Sequence, residues 1–187
     1  MGKIAVIDLE TTGFSRVWDY IIEFAGVLYD EETGEQLAEF QEYAKPGKKI
    51  PTKITEITGI NNATVAGARI ERDVLRDFLE WISINKPDKI GGHNVKSFDM
   101  GFLRERSAKY GFTAPDFDII DTLYIARAMT KRGELDVPNH KQITLAKHFG
   151  IEYQAHSALD DVKAWIQIFE SLGLNETKKI KRNKLGF

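Results

Sequence analysis

The first predicted strand ends in two acidic residues, and this feature constrains the chain more than any other. Residues Ile4 to Ile7 form a short continuous apolar run, which is typical of a strand buried on both faces. Asp8 and Glu10 follow two positions apart, so a strand places their side chains on one face. Two carboxylates about 6–7 Å apart repel each other by roughly 2–3 kcal/mol at an effective dielectric constant near 20. A hard divalent cation stabilises such a pair, whereas the alternative interpretation is a strand that enters a polar turn.

The composition indicates a globular protein of one domain, since the chain has 187 residues, of which 42% are hydrophobic and 29% charged. We expect a cytoplasmic protein with no membrane partner, because the sequence shows neither an apolar stretch of membrane-spanning length nor a signal-peptide pattern. The absence of cysteine excludes thiolate metal sites and a cysteine nucleophile. The formal net charge of −2 argues against broad, charge-driven coating of nucleic acid, but it allows an enzyme that grips a few nucleotides.

Hydrophobic periodicity predicts a mixed α/β sheet, because a strand hairpin comes first and strands then alternate with helices. Strands are predicted at residues 4–7, 20–29, 35–45, 89–93 and 117–120. Helices are predicted at residues 52–58 and 71–84, from an N-cap at Ser97 onwards, from the end of the fifth strand to about 129, and at 144–149 and 157–172. The domain is predicted to span residues 1–174. Residues 175–187 form a basic tail, which is either solvated or meets a partner or phosphates.

Two predicted helix starts supply further polar residues. Asp99 lies in the first turn of one helix, where an acid also complements the helix dipole. Ser157 and Asp160 match a capping box at the start of the last helix, which gives Asp160 a structural role. Asp161 does not cap, and it turns away from the apolar face of this helix. His156 directly precedes the helix, where the backbone can place the imidazole beside Asp161.

These motifs, in their order along the chain, resemble those of the DEDD superfamily of 3′→5′ exonucleases (DnaQ-like), in the DEDDh group whose last motif carries a histidine. The group includes the proofreading subunit of bacterial replicative polymerases and ribonuclease T. Residues 8–13 (Asp-Leu-Glu-Thr-Thr-Gly) are similar to the first motif, residues 93–103 to the second, and residues 156–161 (His-x-Ala-Leu-x-Asp) to the third. Tyrosine-type relatives carry a tyrosine four residues before the final aspartate. Here that position is Ser157, and His156 lies five residues before Asp161.

The resemblance implies an RNase H-like fold, with a mixed five-stranded sheet flanked by helices, and a site for two divalent cations, Mg²⁺ or Mn²⁺. Asp8 would bridge the two ions, Glu10 and Asp161 would bind the first, and Asp99 would act as a ligand directly or through a water. His156 would take the proton from the attacking water, a role that suits imidazole at neutral pH. The implied product is a nucleoside 5′-monophosphate.

The resemblance also implies substrate contacts on two segments and one asparagine. Thr11 and Thr12 lie where the family holds the terminal nucleotide. Thr58 and Ile60 lie in a segment that packs on the terminal base or sugar, where relatives often have histidine at the position of Thr58. Asn94 either orders the second motif or touches the substrate. Four basic residues are either phosphate contacts or ordinary surface charge: Lys96, Lys131, Arg132 and Lys141.

The favoured hypothesis is a metal-dependent 3′→5′ exonuclease that acts on single-stranded 3′ ends in proofreading, repair or end-trimming, with DNA favoured over RNA. A polymerase or another nucleic-acid-processing chain is the expected partner. Three alternatives remain: a catalytically silent adaptor that binds nucleic-acid ends, an RNA-trimming exoribonuclease, and an unrelated hydrolytic or carbohydrate-binding domain with coincidental acids. The complete set of four acids with His156 argues against the adaptor, and metal binding would argue against the last alternative.

Overall fold

A single mixed sheet of six strands forms the centre of the molecule in the computed structural model, which describes residues 2–174. The strands are β1 (Lys3–Thr11), β2 (Ile21–Asp30), β3 (Gln36–Lys45), β4 (Arg69–Ile70), β5 (Lys89–Gly92) and β6 (Asp118–Asp121), in the spatial order β4-β3-β2-β1-β5-β6. The mixed α/β prediction is confirmed, but the predicted count of five strands is wrong. The additional strand β4 has only two residues, which pair with Ala44 and Lys45 of β3, and so short a segment has no periodicity to detect.

Six helices within residues 2–174 flank the sheet: α1 (Thr52–Thr58), α2 (Glu71–Asn85), α3 (Asp99–Tyr110), α4 (Thr122–Lys131), α5 (Gln142–His148) and α6 (Ala158–Ser171). Of the two predicted serine caps, the one at Ser97 is wrong, and the one at Ser157 is confirmed in position but not in its capping hydrogen bond. Ser97 precedes the N-cap residue of α3, Phe98, and the Ser97 hydroxyl lies 2.9 Å from that of Tyr124 instead. Ser157 does occupy the N-cap of α6, but its side chain makes no capping hydrogen bond within the described chain. The predicted tail, 175–187, lies outside the described residues.

Strand β1 separates two hydrophobic layers, because its side chains alternate between the two faces of the sheet. Ile7 and Leu9 pack in a cluster that α2 and α3 complete. Ile4 and Val6 face the opposite way, into a cluster that contains Trp165 of α6. The same alternation therefore directs the even-numbered acids at the end of β1 towards α6.

The parallel strands β1, β5 and β6 bring their carboxyl ends to the same edge of the sheet. Ile4 of β1 pairs with Lys89 of β5, and Lys89 pairs in turn with Asp118 of β6. The two glycines of β5 allow neighbouring groups to approach the strand closely. A Cβ on Gly91 would lie 2.7 Å from the indole of Trp165, and one on Gly92 would lie 2.9 Å from a backbone carbonyl oxygen of β1. The loops that follow these strands therefore converge at the acidic end of β1.

A buried ion pair joins α2 to α3. Arg106 is fully buried, and its Nε lies 2.9 and 3.0 Å from the two carboxylate oxygens of Glu71. The same carboxylate accepts hydrogen bonds from the backbone N–H of Ile21 at 2.7 Å and from the Tyr110 hydroxyl at 2.6 Å. The Glu71 carboxylate thus holds the start of α2 against the start of β2 and against the buried face of α3.

Among the described residues, no helix combines the length and the apolar character that crossing a bilayer requires.

Candidate metal and catalytic site

Three carboxylates meet at the end of β1. Asp8, Glu10 and Asp161 each offer one oxygen atom, and these atoms all lie within 4.8 Å of one another. Asp8 and Glu10 share one face of β1, as predicted, and Asp161 comes from the first turn of α6 on that same side. All three side chains are half-buried. A compact set of carboxylate oxygens is the type of site that hard cations such as Mg²⁺ and Mn²⁺ prefer.

Asp99, the fourth predicted acid, lies beside this group without belonging to it. It is the first residue of α3 and is only 2% exposed. Its Oδ1 accepts a hydrogen bond from the backbone N–H of Leu9 at 3.0 Å. The position is close enough for its charge to raise the pKa of Asp8. One oxygen of Asp99 therefore binds the strand that carries the other two acids.

Burial and mutual repulsion raise the pKa values of all four acids. Burial is the largest cause for Asp8, whose pKa lies well above its usual range, and the neighbouring acids raise it further. The pKa of Glu10 is raised to about 8, first by burial and then by the negative charges of Asp161, Glu23 and Asp99. Burial also raises the pKa of Asp99 to about 8, against the effect of its backbone hydrogen bonds. Bound cations would favour the ionised carboxylates, so the donor atoms and their electrostatics both fit a divalent metal site.

Three groups on the segment from α5 to the start of α6 form hydrogen bonds with the Asp161 carboxylate. The side-chain amide of Gln142 donates to its Oδ1 at 2.9 Å, and the backbone N–H of His156 donates to its Oδ2 at 2.8 Å. Burial raises the pKa of Asp161, while hydrogen bonds from Tyr153 and from the His156 backbone partly offset that rise. Sequence reasoning missed Gln142, because a lone glutamine at a helix start carries no signal.

His156 lies next to Asp161, as predicted, and its side chain is exposed. Its φ angle of 69° is in the left-handed region, which is uncommon for a residue with a side chain. This conformation accompanies the hydrogen bond from the His156 N–H to Asp161. The imidazole is therefore open to solvent at the edge of the carboxylate group, where it can accept a proton from a water.

The predicted substrate-binding threonines of the first motif are buried and hydrogen-bonded within their own turn. The Thr11 hydroxyl donates to the carbonyl of Gly13 at 2.6 Å. The Thr12 hydroxyl donates to Asp19 at 2.9 Å and accepts from the N–H of Tyr20 at 3.0 Å. These two side chains shape the turn after β1. A contact with a nucleotide would therefore come from the turn as a whole and not from freely available hydroxyls.

The second predicted segment also has inward-facing side chains. The Thr58 hydroxyl donates to the carbonyl of Ile54 at 3.0 Å and accepts from the N–H of Ile60 at 3.1 Å. Ile60 is 3% exposed and packs in a small cluster with Ile22 and Val65. These contacts give Thr58 and Ile60 a structural role at the end of α1.

Asp121 organises the loop that leads to Asp99, and sequence reasoning missed it. This buried carboxylate accepts backbone hydrogen bonds from Asn94 at 2.9 Å, Lys96 at 3.1 Å and Leu123 at 3.0 Å. Asn94 adopts a φ of 62°, so its backbone is held in a left-handed turn. The only sequence signal for Asp121 was its place between a predicted strand and a predicted helix, where an N-cap is common.

Comparisons with known proteins agree with this geometry. A family described as exonuclease, RNase T, matches residues 5–169. The PolC-type DNA polymerase III of Bacillus subtilis is 38% identical over 161 residues, which cover 85% of this chain and 10% of that protein. The corresponding protein of Oceanobacillus iheyensis is 36% identical over 160 residues, with the same coverage. The chain thus spans about a tenth of the length of these curated relatives.

A solved structure shows the same fold. Exonuclease I of E. coli, in complex with a dT13 oligonucleotide, superposes with a TM-score of 0.83 and 21% identity, and the match covers 97% of this chain and 43% of that one. At this identity the likeness establishes the fold, which is RNase H-like as predicted. Because the family match extends over nearly all of the described residues, the protein belongs to the RNase T exonuclease family, as the DnaQ-like resemblance of its motifs predicted.

Proposed function

We propose that this chain is a metal-dependent 3′→5′ exonuclease that releases nucleoside 5′-monophosphates from single-stranded 3′ ends, with DNA favoured over RNA. The observation that carries the proposal is the group of three carboxylate oxygens within 4.8 Å of one another, with Asp99 buried beside them. Family membership supports phosphodiester hydrolysis. The relatives named as DNA polymerases and the solved complex with dT13 support DNA as the substrate.

Each polar residue of the site has a part in this proposal. Asp8, Glu10 and Asp161 would hold the divalent cations, with Asp99 as a further ligand, directly or through a water. When bound, such cations neutralise the acidic site and stabilise the charge that develops on the phosphodiester. His156 accepts the proton of the attacking water, because its exposed imidazole lies beside Asp161. The hydrogen bond from Leu9 keeps Asp99 fixed to the strand that carries Asp8.

A polymerase is the proposed partner. The relatives that match this chain are PolC-type DNA polymerases III, and the match covers about a tenth of their length. An exonuclease of this kind acts on the 3′ end that a polymerase extends, so association with a polymerase in proofreading is the role that these relatives favour. Repair and end-trimming require no association with a polymerase. A measurement of binding between this chain and a polymerase therefore distinguishes proofreading from the other two roles.

The proposal is tested with 5′-labelled single-stranded DNA and RNA of one sequence, in Mg²⁺ or in EDTA. We expect a metal-dependent ladder that shortens from the 3′ end, faster on DNA. Asp8→Ala should reduce the rate by at least about 10³-fold, because metal ligation supplies several kcal/mol of transition-state stabilisation. Asp116→Ala, which alters an exposed aspartate, is the matched control and should retain the rate.

Three results would contradict parts of the proposal. Faster cleavage of RNA would make the chain an exoribonuclease. Retained binding to 3′ ends without any cleavage would favour a silent adaptor. A ladder that persists in EDTA or in Asp8→Ala would remove the metal site from the mechanism.

A further inference from the structure

A cavity of about 690 Å³ adjoins the carboxylate group. Asp161 and His156 form part of its wall, so the cavity opens directly onto the site where the phosphodiester would be cleaved. The remainder of the wall comes from the loop that carries Asn94, from α4, from α5 with the three residues before it, and from the segment before α6 that carries Tyr153. The volume lies in the range of about 300–1,000 Å³ that is usual for ligand pockets. The cavity therefore has room for a ligand of nucleotide size.

The cavity lies on the α4 and α5 side of the carboxylates. The segments expected to hold the terminal nucleotide, residues 11–12 and 58–60, do not line it. Gln142 of α5 lines the cavity and donates a hydrogen bond to Asp161, so the cavity wall reaches the carboxylate group. A phosphodiester at the carboxylates has a nucleotide on each side. If the terminal one occupies the turn after β1, the cavity is available to the other.

The charges of the cavity wall suit a phosphate backbone. Arg127 of α4 and Lys141, the N-cap residue of α5, are exposed, and neither forms an ion pair within residues 2–174. His93 contributes no charge near neutral pH, because burial lowers its pKa to about 4. Two positively charged side chains without ion-pair partners among the described residues therefore line the cavity. The half-buried ring of Tyr153 provides an aromatic surface within it.

We propose that this cavity binds the nucleotide on the 5′ side of the scissile phosphodiester, and that Arg127 and Lys141 contact the phosphates of the strand leading away from it. The inference rests on the proposed exonuclease function, which it extends by assigning the path of the retained strand. Contacts of this kind depend on charge and not on base identity, so they hold any single-stranded sequence.

The test compares two substrates that differ only on the 5′ side of the cleaved bond. One is a single-stranded dT12 oligonucleotide. The other is the p-nitrophenyl ester of thymidine 5′-monophosphate, in which p-nitrophenolate replaces the retained strand. In the double variant Arg127→Ala/Lys141→Ala, we expect kcat/KM on dT12 to fall about 10- to 100-fold, mainly through KM, with little change on the ester. The matched control is Arg104→Ala/Lys147→Ala, which removes two exposed charges away from the cavity.

Binding gives a second measurement that does not require cleavage. Fluorescence anisotropy of labelled dT12 in EDTA should show weaker binding by the double variant. The slope of log K against log salt concentration, which is negative, should become less steep by about 1.4, since each phosphate contact on a single strand contributes about −0.7. The control pair should bind as the parent protein does.

Each outcome decides between the two proposals. Equal losses on dT12 and on the ester would mean that the two residues act on the catalytic group, and unchanged dT12 kinetics would mean that the strand follows another path. Either result overturns the inference. If the parent protein cleaves neither substrate, the exonuclease function itself fails. The anisotropy comparison then still judges the cavity, because equal binding by the double variant and the parent protein would reject it.

Discussion

Glu10→Gln should stabilise the metal-free protein at alkaline pH, although it removes a candidate metal ligand. The pKa of Glu10 is about 8 in the folded protein, compared with an ordinary value of 4.5. Because the folded-state value is the higher one, the folded protein binds more protons than the unfolded chain between these two pH values. Stability is therefore lost as the pH rises through this window, and glutamine, which does not ionise, avoids the loss.

The size of the effect follows from the shift. One pKa unit corresponds to about 1.36 kcal/mol, so the whole shift would correspond to about 5 kcal/mol. Part of the repulsion is shared with Asp161 and is not specific to Glu10. We therefore expect Glu10→Gln to add about 2–4 kcal/mol to the free energy of unfolding at pH 8, and less than about 1 kcal/mol at pH 5. For a domain of this size, the gain at pH 8 is a rise in Tm of about 5–15 °C.

The assay is thermal unfolding in EDTA at pH 5 and pH 8, followed by circular dichroism. Glu80→Gln is the matched control, because Glu80 lies exposed on α2 and should show little change at either pH. Adding Mg²⁺ at pH 8 should then raise the Tm of the parent protein more than that of Glu10→Gln, because the variant has lost a ligand. A lower Tm for Glu10→Gln in EDTA at pH 8, or an equal gain at pH 5, would refute the electrostatic argument.

Three further predictions concern proton transfer and buried polar groups. His156→Ala should lower the rate at saturating Mg²⁺ by about 10²–10⁴-fold without weakening Mg²⁺ binding, because the variant keeps the four acids but has no imidazole to accept the proton; an unchanged rate would exclude the role. Arg106→Leu should cost about 3–5 kcal/mol in urea unfolding, because it leaves the Glu71 carboxylate buried without its cation, whereas Lys163→Met, at an exposed pair, should cost less than about 1 kcal/mol. Asp121→Asn should cost about 1–3 kcal/mol and speed amide exchange at Lys96, because an amide nitrogen cannot accept that hydrogen bond; unchanged exchange would contradict this.

The elements that sequence predicted best are those whose pattern is local. Helix α1 has the predicted bounds, Thr52–Thr58, and α2 differs from its prediction by one residue. Both carry signals within a few residues, namely a closing glycine and an apolar stripe. The start of α3 was missed because Asp121 holds the backbone of Asn94 and Lys96 in a turn, so that helical structure begins only at Asp99.

The acidic residues of the candidate site could be predicted from the sequence, but the residues that form hydrogen bonds around the site could not. Strand alternation placed Asp8 and Glu10 together, and the motif order brought in Asp161. Gln142, by contrast, meets Asp161 across a separation of 19 residues, and the hydrogen bond from Asn94 to the Asp121 carboxylate crosses 27. No spacing rule connects residues so far apart, because only the folded sheet and its loops bring them together.

The Glu71–Arg106 ion pair also limits how this sequence can diverge. A lineage that loses either residue alone retains a buried charge without a partner, and selection for a folded protein would remove it quickly. Two apolar residues of similar volume could replace the pair, but only if both positions changed together. An alignment of relatives should therefore show that positions 71 and 106 covary, with charged residues at both or at neither. The exposed Lys163–Glu39 pair should show no such covariation.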